Sequence, residues 1–175
     1  MIPRRILESF GKNRHLQYLC NCKRNKTTDT MKDTQTIMLS EHFSLSEMTL
    51  SGTAIRRGIT NTPGKKEIEN LRSLCLTVLE PLRRRYGRII ITSGYRCRQL
   101  NRAVGGARGS QHLLGEAADI HITSPEMAQK YAQFIIQHTD FDQLIYEPAV
   151  RGGRYRPHWL HVSHTSRRYN RHQVL

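Results

Sequence analysis

Two stretches of the chain repeat apolar residues at helical spacing. The first follows the turn Thr62-Pro63-Gly64 and predicts one amphipathic helix over about residues 64–85, ended by Gly87. Its apolar positions are Ile68, Leu71, Leu74, Cys75, Val78, Leu79 and Leu82. The second opens at Ser124-Pro125, with proline at the first helical position. Its predicted inner face consists of Met127, Ala128, Tyr131, Phe134 and Ile135.

Short apolar and β-branched runs predict strands between and after these helices. They cover residues 88–93, read as a buried strand, then 117–122, 143–146 and 159–163. Two shorter helices are expected, one just after Ser44 or Ser46 and one around residues 99–104. The order of helix, strand, loop, strand, helix, strand and strand indicates the α+β class, a small and mainly antiparallel sheet with flanking helices.

The two ends of the chain differ in composition from the middle. Residues 1–37 are basic and polar without a sustained apolar period, so we predict a disordered extension before a domain over residues 38–166. Residues 167–175 are predicted to be a basic tail. The pair Arg4-Arg5 has no apolar segment behind it, and no run is long enough to span a membrane. We therefore expect synthesis in the cytoplasm without a standard signal peptide.

The formal net charge of +14 favours a polyanionic partner. Residues 81–110 and 149–175 are rich in arginine and contain no acidic residue. Nucleic acid, an anionic membrane surface and the carboxylate-rich bacterial wall all fit this charge, as does a solvated surface with no dedicated partner. Nucleic acid is disfavoured, because no helix-turn-helix, zinc-finger or RNP pattern is present and the arginines are not interleaved with aromatics. The four cysteines form no CxxC motif, and Cys75 is expected to be a buried thiol.

Three residues are candidates for a metal site. His112 lies in a loop, Asp119 lies on the strand that follows it, and His161 lies on a later strand. Two histidines and one carboxylate suit zinc and leave a fourth position open, as in catalytic rather than structural sites. The alternative for each histidine taken alone is a surface position or a hydrogen-bonded place in the core.

The segment Ser110-Gln-His-Leu-Leu-Gly-Glu-Ala-Ala-Asp119 resembles the SxHxxGxAxD signature of the zinc D-alanyl-D-alanine carboxypeptidase family. That family includes peptidases of the bacterial wall, and its fold is related to the hedgehog signalling domain. Two companion motifs also match, Ile91-Thr-Ser-Gly-Tyr-Arg96 and Trp159-Leu-His-Val162. The resemblance covers about residues 39–164.

The resemblance implies roles for individual residues. His112, Asp119 and His161 would be the zinc ligands, and Arg96 would hold a substrate carboxylate or carbonyl oxygen, unless it is one more surface arginine. His158 would be the general base, since it lies three residues before His161, where many relatives have a carboxylate. A histidine with a pKa near 6.5 suits this task.

Other residues near these motifs keep two interpretations each. Ser110 either binds substrate or caps its loop. Tyr95 and Trp159 either line the groove or pack in the core. His121 shares strand parity with Asp119 and is expected near the metal in a supporting role, while His164 should face away. If His158 is not the base, His121 or Glu116 would take its place.

The implied function is a zinc metallopeptidase that hydrolyses D-amino-acid-containing peptide bonds of bacterial peptidoglycan, as a carboxypeptidase or an endopeptidase. Its cofactor would be Zn²⁺ and its partners the peptide stems of the wall, reached after release or by non-standard export. The alternative is a non-catalytic, zinc-containing wall-binding module of the same fold. We expect a monomer.

Overall fold

The structure is a computed structural model that describes residues 37–147, 150–151, 154–155 and 158–175 of the chain. For residues 147, 150–151, 154–155 and 158 it describes only the backbone. The described residues belong to one compact unit, Gln35–Leu175. The predicted N-terminal extension lies outside the described residues except for Ile37, so it stays a prediction.

The predicted helices and strands occur in the expected order, together with further elements that the apolar pattern did not predict. The helices are α1 (Leu45–Thr49), α2 (Gly52–Arg57), α3 (Lys65–Leu74), α4 (Glu80–Tyr86), α5 (Arg98–Ala103) and α6 (Pro125–His138). A π-helical turn spans Cys75–Leu79, and a 3₁₀ turn spans Gln111–Leu114. The strands are β1 (Ile91–Ser93), β2 (Ala117–Ile122), β3 (Gln143–Glu147), β4 (Val150–Arg151), β5 (Arg154–Tyr155), β6 (His158–Ser163) and β7 (Gln173–Val174).

A five-stranded sheet in the order β1-β2-β6-β3-β7 forms the centre of the domain. Its pairings are antiparallel except for β3 with β7, which is parallel. Strands β4 and β5 pair antiparallel with each other in a separate two-stranded sheet. The predicted α+β class with a mainly antiparallel sheet and flanking helices is confirmed.

The two faces of the sheet carry different chemistry because side chains alternate along each strand. On one face Ala118, Ile120 and Ile122 of β2 join Leu160 and Val162 of β6 in the main hydrophobic cluster. Residues of the helices complete this cluster, among them Leu71, Leu74, Val78, Leu79, Leu82, Tyr131 and Ile135. The intervening positions 119 and 161 therefore share the opposite face, where the polar site lies.

The long helix predicted over residues 64–85 is interrupted. Its apolar face is buried as expected, but the π turn at Cys75–Leu79 separates α3 from α4. Pro81 stands in the first turn of α4 and has no N–H to donate to the preceding turn. A wider turn just before the proline accommodates this loss within one continuous helical path.

Two other predictions differ from the structure. Residues 88–93 were predicted to be a buried strand, but β1 is only three residues long. Thr92 is exposed because β1 is an edge strand, paired only with β2. Ile89 still enters the core, whereas Ile90 is exposed. Residues 167–175, set apart by sequence as a basic tail, contribute β7 to the opposite edge of the same sheet.

Candidate metal centre

Strand pairing brings Asp119 and His161 together. They are directly opposite each other in the antiparallel register of β2 and β6. Neighbouring positions on one face of such a pair lie close enough for their side chains to interact. Nδ1 of His161 is 2.9 Å from Oδ1 of Asp119.

His112 reaches the same point from the 3₁₀ turn that precedes β2. This turn ends at Gly115, whose backbone is left-handed with φ 71°. A Cβ atom there would lie 2.4 Å from the backbone oxygen of Glu67, so both conformation and space require glycine. Nε2 of His112 is 3.2 Å from the same oxygen of Asp119 that His161 contacts.

A second glycine fixes the other side of the His112 ring. Gly94 packs so tightly that a Cβ atom would lie 2.3 Å from the backbone oxygen of Met48. Its carbonyl accepts a hydrogen bond from Nδ1 of His112 at 2.7 Å. The glycines of both sequence motifs thus position one imidazole.

The protonation states of His112 and Asp119 are those that metal ligands need. Since a carbonyl only accepts, Nδ1 of His112 carries the hydrogen and Nε2 directs its lone pair at Asp119. Burial lowers the pKa of His112, which favours this neutral form. Burial alone would raise the pKa of Asp119, but the neighbouring imidazoles of His112 and His161 lower it well below the usual range, so this group is a carboxylate. A metal cation held by His112 and Asp119 would offset the repulsion between this lone pair and the carboxylate.

The His161 ring is oriented by a chain of hydrogen bonds that the sequence analysis missed. Gln111 donates from Nε2 to Oδ2 of Asp142 at 2.9 Å, which turns its Oε1 towards Nε2 of His161 at 3.4 Å. His161 therefore donates from Nε2 and presents the Nδ1 lone pair to Asp119. Such outer partners commonly fix the tautomer of a metal-binding histidine.

Asp142 is held in turn by the C-terminal segment. Its side chain is 0% exposed, and it accepts hydrogen bonds from the guanidinium groups of Arg168 and Arg171, the closest of each at 2.7 Å. Burial alone would raise the pKa of Asp142, but these arginines lower it well below the usual range. In the sequence, the only indication of this role was that Asp142 is an acidic residue directly before the first residue of β3.

The three candidate ligands together form a compact donor set. Their potential ligand atoms all lie within 4.8 Å of one another, and His112 and Asp119 are buried. Two imidazole nitrogens and one carboxylate oxygen are donors that zinc accepts, with a coordination position left for water. The residues present therefore fit the predicted metal.

Arg96 lies at the same cluster. Its Nη2 donates to Oδ2 of Asp119 at 2.5 Å, and its Nε donates to Ser93 at 2.7 Å. The backbone N–H of Arg96 also donates to the carbonyl of His112. Asp119 thus offers one oxygen to the histidines and the other to the guanidinium group.

The other predicted site residues have different positions. Ser110 is the residue before the 3₁₀ turn and caps it without a side-chain hydrogen bond. His158 begins β6 with its backbone opposite Ile122, and its side chain is outside the part that the structure describes. Its role as a base stays a prediction.

Several residues discussed with the motifs do not join the cluster. Glu116 is bound by Arg167 and Thr165 instead. His121 is half-buried and has Trp159 as its cross-strand neighbour. Tyr95 packs against the main core. His164 faces away as predicted, with hydrogen bonds to Ser73 and the carbonyl of Asp140.

Two small cavities adjoin the cluster. One of about 450 Å³ is bordered by Ser110, Gln111 and His161. Another of about 240 Å³ is bordered by Ser93 and Arg96. A larger cavity of about 1050 Å³, near α1 and the end of α4, contains none of the candidate ligands. The candidate site is therefore identified by its metal-donor groups and not by the size of the adjoining cavity.

Comparison with known proteins gives a family for this arrangement. Residues 41–162 match a family model described as Peptidase M15, which is more than half of the chain. No curated protein matches at a significant level. Among the described residues, no helix is both long enough and apolar enough to cross a membrane. The matched range includes all three candidate ligands, Arg96 and position 158.

Proposed function

The chain belongs to the M15 peptidase family, and from this premise we propose that it is a zinc metallopeptidase of bacterial peptidoglycan. Its substrates would be peptide bonds that involve D-amino acids in the stems of the wall. The observation that carries this proposal is the convergence of His112, Asp119 and His161. A peptidase family with an open three-residue donor set is expected to use metal-assisted hydrolysis.

Each residue has a definite task in this proposal. Zinc, when bound, supplies Lewis-acid activation of water and of the scissile carbonyl. Asp119 contributes a carboxylate that remains ionised at neutral pH, and His112 contributes a neutral imidazole held by Gly94. Gln111 keeps the His161 ring in the tautomer whose Nδ1 faces the site.

Two further tasks complete the reaction. Arg96 is proposed to hold a substrate oxygen, because its guanidinium group lies at the edge of the donor set. Transferring one hydrogen bond from Asp119 to substrate would let Arg96 act without moving far. His158 is proposed to accept the proton of the attacking water, on the ground of its position three residues before His161.

The test is metal-restorable hydrolysis of purified peptidoglycan. Wild-type protein is treated with a chelator, dialysed and supplied again with zinc, and released fragments are identified by mass. A matched pair of variants separates the site from the surface: Asp119→Asn changes a candidate ligand, and Glu69→Gln makes the same change at an exposed helical position. We expect zinc to restore hydrolysis in wild type and Glu69→Gln but not in Asp119→Asn.

The products decide between the finer alternatives. Release of a single terminal D-amino acid identifies a carboxypeptidase, whereas cleavage within or between stems identifies an endopeptidase. Zinc bound at one equivalent with no fragment released, together with retention on peptidoglycan, would instead identify a non-catalytic wall-binding module. That result would overturn the proposed activity.

A further inference from the structure

The C-terminal segment beyond the family match lines one side of the candidate site. The cavity of about 450 Å³ that includes His161 is also lined by Arg167, Arg168 and Arg171. No acidic residue is among the described residues that line it. All three arginines lie after residue 162, where the family match ends. They are therefore a property of this chain beyond the matched domain.

These arginines are held in place by two buried carboxylates. Arg167 forms two hydrogen bonds with Glu116, at 2.6 and 2.7 Å. Arg168 and Arg171 each form two with Asp142. Glu116 and Asp142 are 1% and 0% exposed, whereas the arginine side chains are 43–46% exposed. The buried carboxylates thus fix three guanidinium groups whose outer surfaces face the cavity.

The charges and donors of this group are not used up by the internal pairs. Three guanidinium groups and two carboxylates leave one excess positive charge. Each guanidinium group has five N–H donors, each side-chain pair with a carboxylate uses two of them, and Arg168 uses one more for the carbonyl of Tyr169. An anion in the cavity would meet donors fixed in position, so it would not bear the cost of ordering flexible side chains.

We propose that this cavity is a subsite for a substrate carboxylate, which we call the arginine subsite, formed by Arg167, Arg168 and Arg171 beside His161. The inference rests on the proposed peptidase function and adds a substrate preference to it. Because His161 belongs both to the donor set and to the cavity wall, a carboxylate bound here lies close to the scissile bond. Planar guanidinium groups match carboxylates in geometry as well as charge.

Stem peptides offer this carboxylate from two sources. One is the α-carboxylate at the C-terminus, and the other is a side-chain carboxylate within the stem. Three synthetic stem peptides ending in D-Ala-D-Ala distinguish them. The first has all carboxylates free, the second has all of them as carboxamides, and the third has only the terminal one free.

The experiment measures both hydrolysis and binding with the zinc-loaded full chain. Wild type is compared with Arg171→Gln and with the control Arg57→Gln, an exposed arginine of α2. Arg171→Gln leaves the paired Arg168 and the backbone N–H at position 171 to satisfy Asp142. Thermal unfolding reports whether each variant is folded, and if Arg171→Gln is not, it is replaced by Arg171→Lys, which keeps the charge but not the paired donors of a guanidinium group.

We expect wild type to prefer the free peptide over the carboxamide by about 10- to 100-fold, the range of charged hydrogen bonds. Arg171→Gln should reduce this preference about tenfold, and Arg57→Gln should keep it. If the third peptide behaves like the first, the subsite takes the terminal carboxylate. If it behaves like the second, the subsite takes the side-chain carboxylate.

Two results would count against different parts of the reasoning. Equal binding and cleavage of free and amidated peptides, or an unchanged preference in folded Arg171→Gln, would overturn the arginine subsite alone. Absence of cleavage of every peptide and of purified peptidoglycan would overturn the proposed peptidase function. In that case calorimetric binding of the free and amidated peptides still decides whether the subsite exists.

Discussion

Replacing Gln111 should weaken zinc binding without removing any ligand. The side chain joins Asp142 to His161, and it selects the His161 tautomer whose Nδ1 faces Asp119. Gln111→Met keeps the length and approximate volume of the side chain. It removes the amide oxygen that accepts a hydrogen bond from His161 and the amide N–H that donates one to Asp142. The His161 ring would then be free to rotate or to present the wrong nitrogen.

The size of the effect follows from the geometry. Loss of an outer partner of a metal-binding histidine typically lowers metal affinity by about 10- to 100-fold. The hydrogen bond from His161 to Gln111 is 3.4 Å long, beyond the common range for N–H···O bonds. We therefore expect the lower limit, about tenfold or about 1.4 kcal/mol.

The assay is competition for zinc against a chromophoric chelator at pH 7, with Gln133→Met as the control. Gln133 is exposed on α6, far in sequence from the donor set, so its variant should bind zinc like wild type. Thermal unfolding of the metal-free proteins shows whether Gln111→Met remains folded. A folded Gln111→Met that binds zinc within about twofold of wild type would refute the chain of hydrogen bonds as a positioning device.

Three further predictions concern the ligands, the base and the C-terminal ion pairs. His112→Ala or Asp119→Ala should abolish tight zinc binding, and full zinc by metal analysis in either variant would disprove the assignment. His158→Ala should keep zinc while hydrolysis falls about 10²- to 10⁴-fold, and near-normal turnover would remove this residue from the mechanism. The pKa of Asp142 in the folded protein is below the ordinary value of 3.8, so its stabilising effect is complete well above that pH and is lost as the pH falls towards the folded-state pKa. The difference in Tm between wild type and Asp142→Asn should accordingly shrink from pH 7 to pH 3, and a constant difference would contradict this linkage.

Local signals account for the parts of the structure that sequence predicted well. Strand β2 occupies the predicted residues 117–122, because small and β-branched residues there alternate with the polar side chains of one face. Helix α6 begins at Pro125, capped by Ser124, as its opening dipeptide indicated. The convergence of Asp119 and His161 needed only strand parity and antiparallel pairing.

Features that depend on distant partners could not be predicted in this way. The apolar spacing of residues 64–85 suits an α-helix throughout, and the π turn before Pro81 changes that spacing too little to be visible in sequence. Three consecutive isoleucines at 89–91 resemble a buried strand, but their burial depends on whether a second neighbour covers β1. Gln111 occupies a variable position of the motif, and its role requires Asp142, 31 residues away.

The C-terminal arginines show how distant pairing changes the interpretation of charge. Their excess over acidic residues suggested a surface for a polyanionic partner. Yet Arg167, Arg168 and Arg171 are ion-paired with Glu116 and Asp142, two buried carboxylates that would be costly without compensating cations. Most of the positive charge of these three arginines therefore compensates buried carboxylates of the domain. What remains is a small excess concentrated beside His161, which favours recognition of one carboxylate over attraction to an extended polyanion.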